Sequence, residues 1–371
     1  MPGEGPGVPD FQISNVSGDL AQMVKKVSVD YVQDGPDMFS VTFTNQTTSE
    51  PGQVPVFTHQ GGQHSGHFKE GDALDISIGY KGEGGGGGGM TQMISGEITA
   101  MEASYREHDP STYTVRGFDK MHRLSRGRKQ RTFLNMKDSQ IAEQIAGEMG
   151  LGADVDDSGK VHDHVFQNNL SDIDFLYARA RFIDFELGVS DGNLTFKRPQ
   201  VSGGSVTTIT YGENLKRSRF SLSTAQQVDE VQVRGWCQKE KKEIVGKASP
   251  SDVRSKMGGD QSGPEVAAGK FGGGKKMNLI CNVPLEDQEH ADAIAKARMN
   301  EIAMNFITGD AEVEGDMNIK SGKIVEFSGL GKKFDGKYYV IRAEHILKPG
   351  TGPGTGYTTR FSFKRAGHGQ L

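Results

Sequence analysis

Two groups of histidines are spaced closely enough to raise the question of metal binding. The first group is His59, His64 and His67, in a stretch rich in glycine and glutamine, and the second is His162 and His164, which flank Asp163. Imidazole and carboxylate groups are common ligands of transition metals. Neither group has the i, i+4 helical spacing with a nearby carboxylate that would strengthen a metal assignment. We therefore predict solvated loop histidines, and we expect no bound metal and no cofactor.

Three acidic residues near the middle of the chain, Glu143, Glu148 and Glu186, are candidates for hydrolytic chemistry. Glycoside hydrolysis needs two carboxylates in different environments on a defined cleft, and nothing in the sequence places these acids so. The chain also lacks the P-loop and His-Glu-x-x-His motifs. We predict that the protein is not an enzyme. The alternative is a peptidoglycan-binding or muralytic protein.

A basic cluster consists of Arg123, Arg126, Arg128 and Arg131, together with Lys129. Such a cluster could contact a nucleic acid or an acidic neighbour. It has no interleaved aromatic residues, and the whole chain carries a formal net charge of −5, which argues against a general nucleic-acid binder. We expect these arginines to form salt bridges at a subunit or domain boundary, with no nucleic-acid specificity.

Cysteine usage and the N-terminus indicate where the protein is made. The two cysteines, Cys237 and Cys281, are too few for a disulfide framework and have no zinc-type spacing. The first ten residues lack a basic and an apolar signal region, and no apolar run is long enough to span a bilayer. We expect reduced thiols, synthesis in the bacterial cytoplasm and no membrane insertion by the chain itself.

The first part of the chain has the residue alternation of an antiparallel β-domain. Apolar and polar residues alternate in four segments, which are residues 26–30, 38–43, 73–78 and 113–118. An uninterrupted glycine run at 84–89 has too much backbone freedom to hold a strand. We interpret it as a flexible hairpin tip or a disordered loop.

The next part, residues 119–200, is predicted to be a small α/β insert. Apolar residues at three- and four-residue spacing predict a helix over 138–150, which Asp138 or Ser139 would cap and Gly150 would end. A second helix is predicted over 171–185, from a capping-box-like start with acidic residues in its first turn. Asp191-Gly192 between two alternating runs then predicts a β-hairpin.

Strands are predicted again in the last part of the chain. They cover residues 206–211, 215–222 and 228–236, and a final set lies within 310–364. The polar tract 239–276, rich in glycine and lysine, is interpreted mostly as a long loop. Residues 287–306 have the strongest helical periodicity in the chain.

The final strand set resembles the first one. Residues 71–78 correspond to 322–329, residues 93–101 correspond to 336–343, and the strands that begin at Tyr113 and Tyr357 both end their sets. Alternation is common in β-proteins, so chance similarity is the alternative to a duplication. We interpret the pattern as two similar β-domains that flank a dissimilar insert.

The order of parts between Asp119 and Pro199 resembles the middle of the phage late control D family, the tail hub proteins of contractile phage tails and also the hub half of VgrG-type spike proteins. The likeness extends over about residues 27–363. It implies an α+β, mostly β fold, with two similar tube-like antiparallel β-barrel domains around a small α/β insert and a helix before the last strands. The expected parts are an extension (1–25), a first barrel (26–118), the insert (119–200) and a second barrel (201–371).

The resemblance also implies a structural function in the baseplate. Three copies of a chain with two similar domains could form a ring of near-sixfold symmetry, which would join a hexameric tail tube to a trimeric spike. The expected partners are two further copies of the chain, the tube protein, the spike and neighbouring baseplate proteins, in a phage virion or a contractile injection particle. The chain stops soon after its last predicted strand, so we expect the spike to be a separate protein.

Overall fold

The computed structural model describes residues 7–46, 55–81, 89–107, 110–237, 241–268, 270, 275–350 and 352–369. The fold is mostly β, with a large antiparallel sheet, as the sequence predicts. The chain divides into two compact units. The first consists of residues 1–122, 314–317 and 343–360, and the second of residues 123–313, 318–342 and 361–371. Of the glycine run 84–89, only Gly89 is described.

The first unit consists mainly of antiparallel strands. Its elements are β1 (Val8–Ile13), α1 (Asp19–Gln22), β2 (Val24–Val32), β3 (Met38–Thr44), β4 (Ala73–Lys81), β5 (Met90–Ser104) and β6 (Thr112–Asp119). Their order across the sheet is β1-β4-β5-β6-β3-β2. Along β3 the side chains of Phe39, Val41 and Phe43 are buried at every second position, so the predicted alternation is confirmed.

Strand β1 was not expected from the sequence, which assigned residues 1–25 to an extension. Phe11 lies opposite Ile78 in an antiparallel register with β4, and Ile13 is buried. Pro9 cannot donate a backbone hydrogen bond, but β1 is the edge strand, where one side of the backbone needs no partner. The extension therefore contributes a strand to the first unit.

The second unit contains the remaining elements. Its strands are β7 (Lys129–Lys137), β8 (Gly152–Val155), β9 (Val161–Leu170), β10 (Glu186–Ser190), β11 (Asn193–Lys197), β12 (Thr207–Thr210), β13 (Leu215–Leu222), β14 (Glu230–Cys237), β15 (Lys242–Ala248), β16 (Gln261–Ser262), β17 (Met277–Ile280), β18 (Ile307–Glu314), β19 (Ile324–Ser328), β20 (Gly336–Lys348), β21 (Gly356–Arg365) and β22 (Gly367–His368). Its helices are α2 (Asp138–Glu148), α3 (Asp172–Phe182), α4 (Gly263–Ala267) and α5 (Gln288–Met304). Strands β18, β20 and β21 also contribute residues to the first unit.

The insert folds as the local signals predict. Gly150 has a φ of +68° just after α2, a conformation that glycine adopts without strain. At the start of α3, the Ser171 hydroxyl accepts a hydrogen bond from the Asp174 backbone N–H. The hairpin of β10 and β11 turns at Asp191 and Gly192, both with positive φ, which is the backbone of a type I′ turn.

Helix α5 packs on a three-stranded sheet in the order β15-β14-β17. The shared core includes Val231 and Val233 of β14, Ile244 of β15, and Ala291 and Ile294 of α5. The interpretation of 239–276 as mostly loop was wrong for β15, β16 and α4. The polar residues of β15 face away from the helix, and only alternate positions such as Ile244 are buried, so the mean polarity of the tract concealed a half-buried strand.

The two strand sets that look alike in sequence have the same strand order. The first set has the order β4-β5-β6-β3-β2, and the last has β19-β20-β21-β18-β13. If the five strands of each set are counted along the chain, both sheets have the order third, fourth, fifth, second, first. The segments matched by sequence occupy equivalent places, since β4 corresponds to β19, β5 to β20 and β6 to β21.

Candidate functional site

The basic cluster lies at the start of the second unit, and part of it is bound within the insert. The Arg131 Nη2 atom lies 2.7 Å from the Asp172 carboxylate, Nε donates to the Gln167 side chain over 2.7 Å, and Nη1 contacts Glu148. Lys129 binds the same two carboxylates, at 2.7 Å from Asp172 and 3.3 Å from Glu148. The strand β7 therefore presents two cations to acids of α2 and α3, so these bonds hold the insert together.

The other arginines of the predicted interface are more open. Arg128 Nη1 donates to the Asn169 carbonyl over 3.2 Å, and both Arg126 and Arg128 are exposed. Arg123 is half-buried. Arg126 and Arg128 thus remain available to an acidic partner, whereas Arg131 is already neutralised.

A buried ionic cluster joins the insert to the start of α5. The Asp138 carboxylate accepts from Arg179 Nε over 2.6 Å and lies 3.3 Å from His162 Nε2. The other ring nitrogen of His162 lies 2.7 Å from a Glu286 carboxylate oxygen. Asp138 does not cap α2 as predicted, because its carboxylate is bound to these side chains. At the start of α2, the Gln140 side chain instead accepts a hydrogen bond from the Lys137 backbone N–H over 2.9 Å.

The charges of this cluster shift the pKa values of its members. Burial alone would raise the pKa of Asp138, but hydrogen bonds from His162 and Arg179 hold it below its ordinary value. Burial alone would lower the pKa of His162, but the carboxylates of Asp138 and Glu286 outweigh burial and raise it. His290, whose ring centroid lies 5.5 Å from that of His162, has its pKa lowered to about 4 by burial.

The histidines named as candidate metal ligands lie in different surroundings. The His64 ring packs between Phe57 and His67, and His67 Nε2 lies 2.8 Å from the Asn15 carbonyl oxygen. His164 lies on the outer face of β9, whereas His162 belongs to the buried cluster. In the part of the chain that the structure describes, no three His, Cys, Asp or Glu side chains are arranged to hold a metal ion.

The acids considered for hydrolysis have structural partners. Hydrogen bonds from Arg131 and Gln144 outweigh burial and hold the pKa of Glu148 below its ordinary value, the opposite of what a general acid needs. Glu186 accepts a hydrogen bond from the Tyr339 hydroxyl, and Glu143 is exposed on α2.

The sheet that packs on α5 exposes apolar side chains on its outer face. Trp236, the only tryptophan of the chain, is 60% exposed, and Met277 and Leu279 on β17 are also exposed. The strand register pairs Leu279 with Gln232 and Met277 with Glu230. These side chains lie on one face of the sheet, and Val231 and Val233 lie on the other. Trp236 lies four residues beyond Gln232 along β14, so the three side chains share one face without being neighbours. We name these exposed side chains, Trp236, Met277 and Leu279, the tryptophan patch. Sequence reasoning missed it, although the two-residue period of β14 would have placed Trp236 outside.

A second exposed apolar patch lies on the ribbon of β7 and β9. Leu134 is 60% exposed and pairs with His164, while Phe166 pairs with Thr132 on the same outer face. The rings of His164 and Phe166 are 6.4 Å apart. We name Leu134, His164 and Phe166 the ribbon patch. Exposed apolar side chains that are close together are typical of protein–protein contact surfaces.

Comparison with solved structures assigns this fold to tail proteins. The 43 kDa tail protein of prophage MuSo2 from Shewanella oneidensis matches with a TM-score of 0.67 and 17% sequence identity, covering 96% of this chain and 98% of that one. The tail protein from Neisseria meningitidis MC58 matches with a TM-score of 0.66 and 12% identity, covering 96% and 97%. The Escherichia coli c3393 protein, a type VI secretion system component, matches with a TM-score of 0.54 and 12% identity, covering 96% and 76%.

The chain therefore has a phage tail protein fold. It belongs to the Alg8 N-terminal domain family, whose sequence profile matches residues 62–348. No curated protein is similar enough in sequence to count as a match. Among the described residues, no helix is both long and apolar enough to cross a membrane.

Proposed function

We propose that this protein is the hub of the baseplate of a contractile phage tail or a phage-tail-like injection particle. The observation that carries the proposal is the repeated strand order, β4-β5-β6-β3-β2 and β19-β20-β21-β18-β13, within one chain. The tail-protein fold of the whole chain supports it further. The resemblance to the late control D family and to VgrG-type hubs adds the specific role.

The repeated sheet offers a physical means of matching two symmetries. If each sheet curves into a tube-like barrel, three copies of the chain supply six similar barrels, and the ring is nearly sixfold while the assembly stays threefold. The hub would then bind a hexameric tail tube on one side and a trimeric spike on the other. Neighbouring baseplate proteins would surround it, and the protein would be part of the particle.

A threefold ring also constrains the contact between copies. Head-to-tail contacts are heterologous, so each copy must present two different surfaces that fit each other. The second unit carries two separate exposed apolar surfaces, the tryptophan patch and the ribbon patch. We propose that the tryptophan patch of one copy packs on the ribbon patch of the next.

Particles assembled in producing cells test the hub proposal directly. A tagged chain should be found in three copies per particle, at the leading end of the tube, in a reconstruction of the intact baseplate. One copy, six copies or a position on the sheath would refute the proposal. A solution mass is informative only with the spike protein present, because the ring and spike could depend on each other.

The alternative function, a muralytic or peptidoglycan-binding protein, has a simple assay. Purified chain is incubated with cell walls, and soluble sugar fragments are measured. Under the hub proposal, wild type, Glu148→Gln and Glu186→Gln all release nothing above the buffer control. Release by wild type that is lost in either variant would favour the alternative.

A further inference from the structure

The second unit contains a buried arginine with no counter-ion. Arg365, at the end of β21, is 2% exposed. Its Nη1 atom donates to the Asp335 backbone carbonyl over 2.7 Å, and its guanidinium carbon lies 5.2 Å from the centroid of the Tyr338 ring. Its Nε atom is buried and has no hydrogen-bond partner among the described residues. Within the same residues, no carboxylate forms a salt bridge with it.

Such an arrangement is unfavourable for an isolated protein. A buried cation is usually paired with a carboxylate, because its transfer from water is costly and a carbonyl dipole and an aromatic ring offset that cost only in part. The same unit shows the usual solution at Arg179, which is paired with the buried carboxylate of Asp138. Arg365 is thus buried without the carboxylate partner that the half-buried Arg179 has.

A cavity adjoins the Arg365 side chain. Its volume is about 830 Å³, and Arg365, Lys332 and Lys337 line it together with Asp260, Glu326 and Asp335. This volume lies in the range typical of small-ligand sites, roughly 300–1,000 Å³. The cavity is therefore large enough for a ligand that carries the missing negative charge.

Gly336 lies directly against the guanidinium and has no side chain to cover it. A Cβ atom at this position would lie 3.0 Å from Arg365 Nη2 and 3.1 Å from Nη1. The backbone of Gly336 also has a φ of +116°, which side-chain-bearing residues rarely adopt. Any side chain at this position would therefore press on the two nitrogens that a bound anion would contact.

We propose that this cavity binds a carboxylate group, with Arg365 as its counter-ion. A guanidinium donates well-aligned hydrogen bonds to carboxylates. Three cationic and three acidic side chains line the cavity, so a group with one negative charge fits better than a phosphate with two. The carboxylate could belong to an acidic side chain of another protein or to a free organic acid, and the experiment below separates these sources.

The first measurement is the thermal midpoint of unfolding of the full chain at constant ionic strength. Sodium acetate is the free carboxylate, and an end-blocked Gly-Asp-Gly peptide carries a side-chain carboxylate. Sodium chloride, sodium phosphate and the matching Gly-Asn-Gly peptide are the controls. We expect a concentration-dependent rise with acetate, the Asp peptide or both, and none with the controls. The probe that raises the thermal midpoint more identifies the source of the carboxylate.

The second measurement uses the variant Arg365→Met, which keeps the length of the apolar stem and removes the charge. We expect its thermal midpoint without ligand to equal or exceed that of wild type, and its response to both carboxylate probes to vanish. The matched control is Arg179→Met, whose midpoint should fall because Asp138 loses its partner. Three results would overturn the proposal: a large fall for Arg365→Met, a response that persists in it, or no response of wild type to either probe. None of them bears on the hub proposal.

Discussion

The buried cluster around Asp138 shows how single residues join the insert to the rest of the second unit. Asp138 begins α2, Arg179 lies on α3, His162 on β9, and Glu286 just before α5. Each member of the cluster forms a hydrogen bond or an ion pair with another member. The removal of one would therefore leave a buried charge without a partner. Such losses cost about 3–5 kcal/mol, far more than an exposed ion pair contributes.

His290 makes stability depend on pH. Burial, Arg179 and His162 lower its pKa from 6.5 to about 4, while Glu286 opposes the shift. The unfolded chain therefore takes up a proton at a higher pH than the folded one, so the stabilisation is complete above about pH 6.5 and is lost as the pH falls toward 4. A shift of this size corresponds to roughly 3 kcal/mol.

We expect His290→Leu to reduce this pH dependence. Urea unfolding followed by circular dichroism at pH 8 and pH 4.5 should show a smaller loss of free energy of unfolding in the variant than in wild type. His59→Leu, in the loop of the first unit, is the control and should keep the wild-type dependence. Equal losses in wild type and His290→Leu would mean that His290 is already protonated in the fold.

At the scale of elements, the packing of α5 depends on a missing side chain in β15. A Cβ atom at Gly246 would lie 2.3 Å from the backbone carbon and oxygen of Ala291. Because the neighbour is helix backbone, it cannot rotate away as a side chain could. Gly246 therefore sets how closely the helix approaches the sheet.

Gly246→Ala should destabilise the protein by about 1–3 kcal/mol or more, since the helix must move away from the sheet. Gly147→Ala is the matched control, because Gly147 is exposed in α2 and a Cβ atom there meets nothing within 4 Å. That substitution should stabilise by about 0.5–1 kcal/mol, as alanine favours the helix. Chemical denaturation of both variants measures the two changes in the free energy of unfolding. An unchanged free energy of unfolding in Gly246→Ala would contradict the close packing of α5 on β15.

Elements that are stabilised by residues nearby in the sequence could be predicted. Elements that are stabilised by a partner far along the chain could not. The type I′ turn at Asp191-Gly192, the cap at Ser171 and the alternation in β3 each depend on neighbouring residues. The strand β15 is stabilised by α5, about fifty positions away, and the edge strand β1 by β4. The ionic cluster was missed for the same reason, since His162 and Glu286 are far apart in sequence.

At the scale of the whole molecule, the repeated strand order is the observation on which the proposed hub function rests. The sequence predicted the correspondence of β4 with β19 and of β5 with β20 from alternation alone, and the strand order agrees. The sequence did not lead to the exposed apolar residues, because Leu134 resembles a core residue until the fold shows which side it faces, and the period of β14 that places Trp236 outside was not used.

The proposed contact between the tryptophan patch and the ribbon patch can be tested by charge exchange. Trp236→Glu and Leu134→Lys should each reduce the amount of trimer recovered with the spike protein and the yield of intact particles, because each buries an unpaired charge in the contact. Neither should change the fold of the single chain, since both side chains are 60% exposed in it.

The double variant Trp236→Glu with Leu134→Lys decides whether the two patches meet. In a head-to-tail ring, each glutamate of one copy would face a lysine of the next, and the opposite charges should restore part of the trimer. Tyr211→Glu is the control, because this exposed residue belongs to neither patch, and it should assemble as wild type does. The amount of trimer recovered from the double variant is compared with the amount expected if the two single losses simply add. If it is no higher, the patches contact other partners, and the ring must be built from different surfaces.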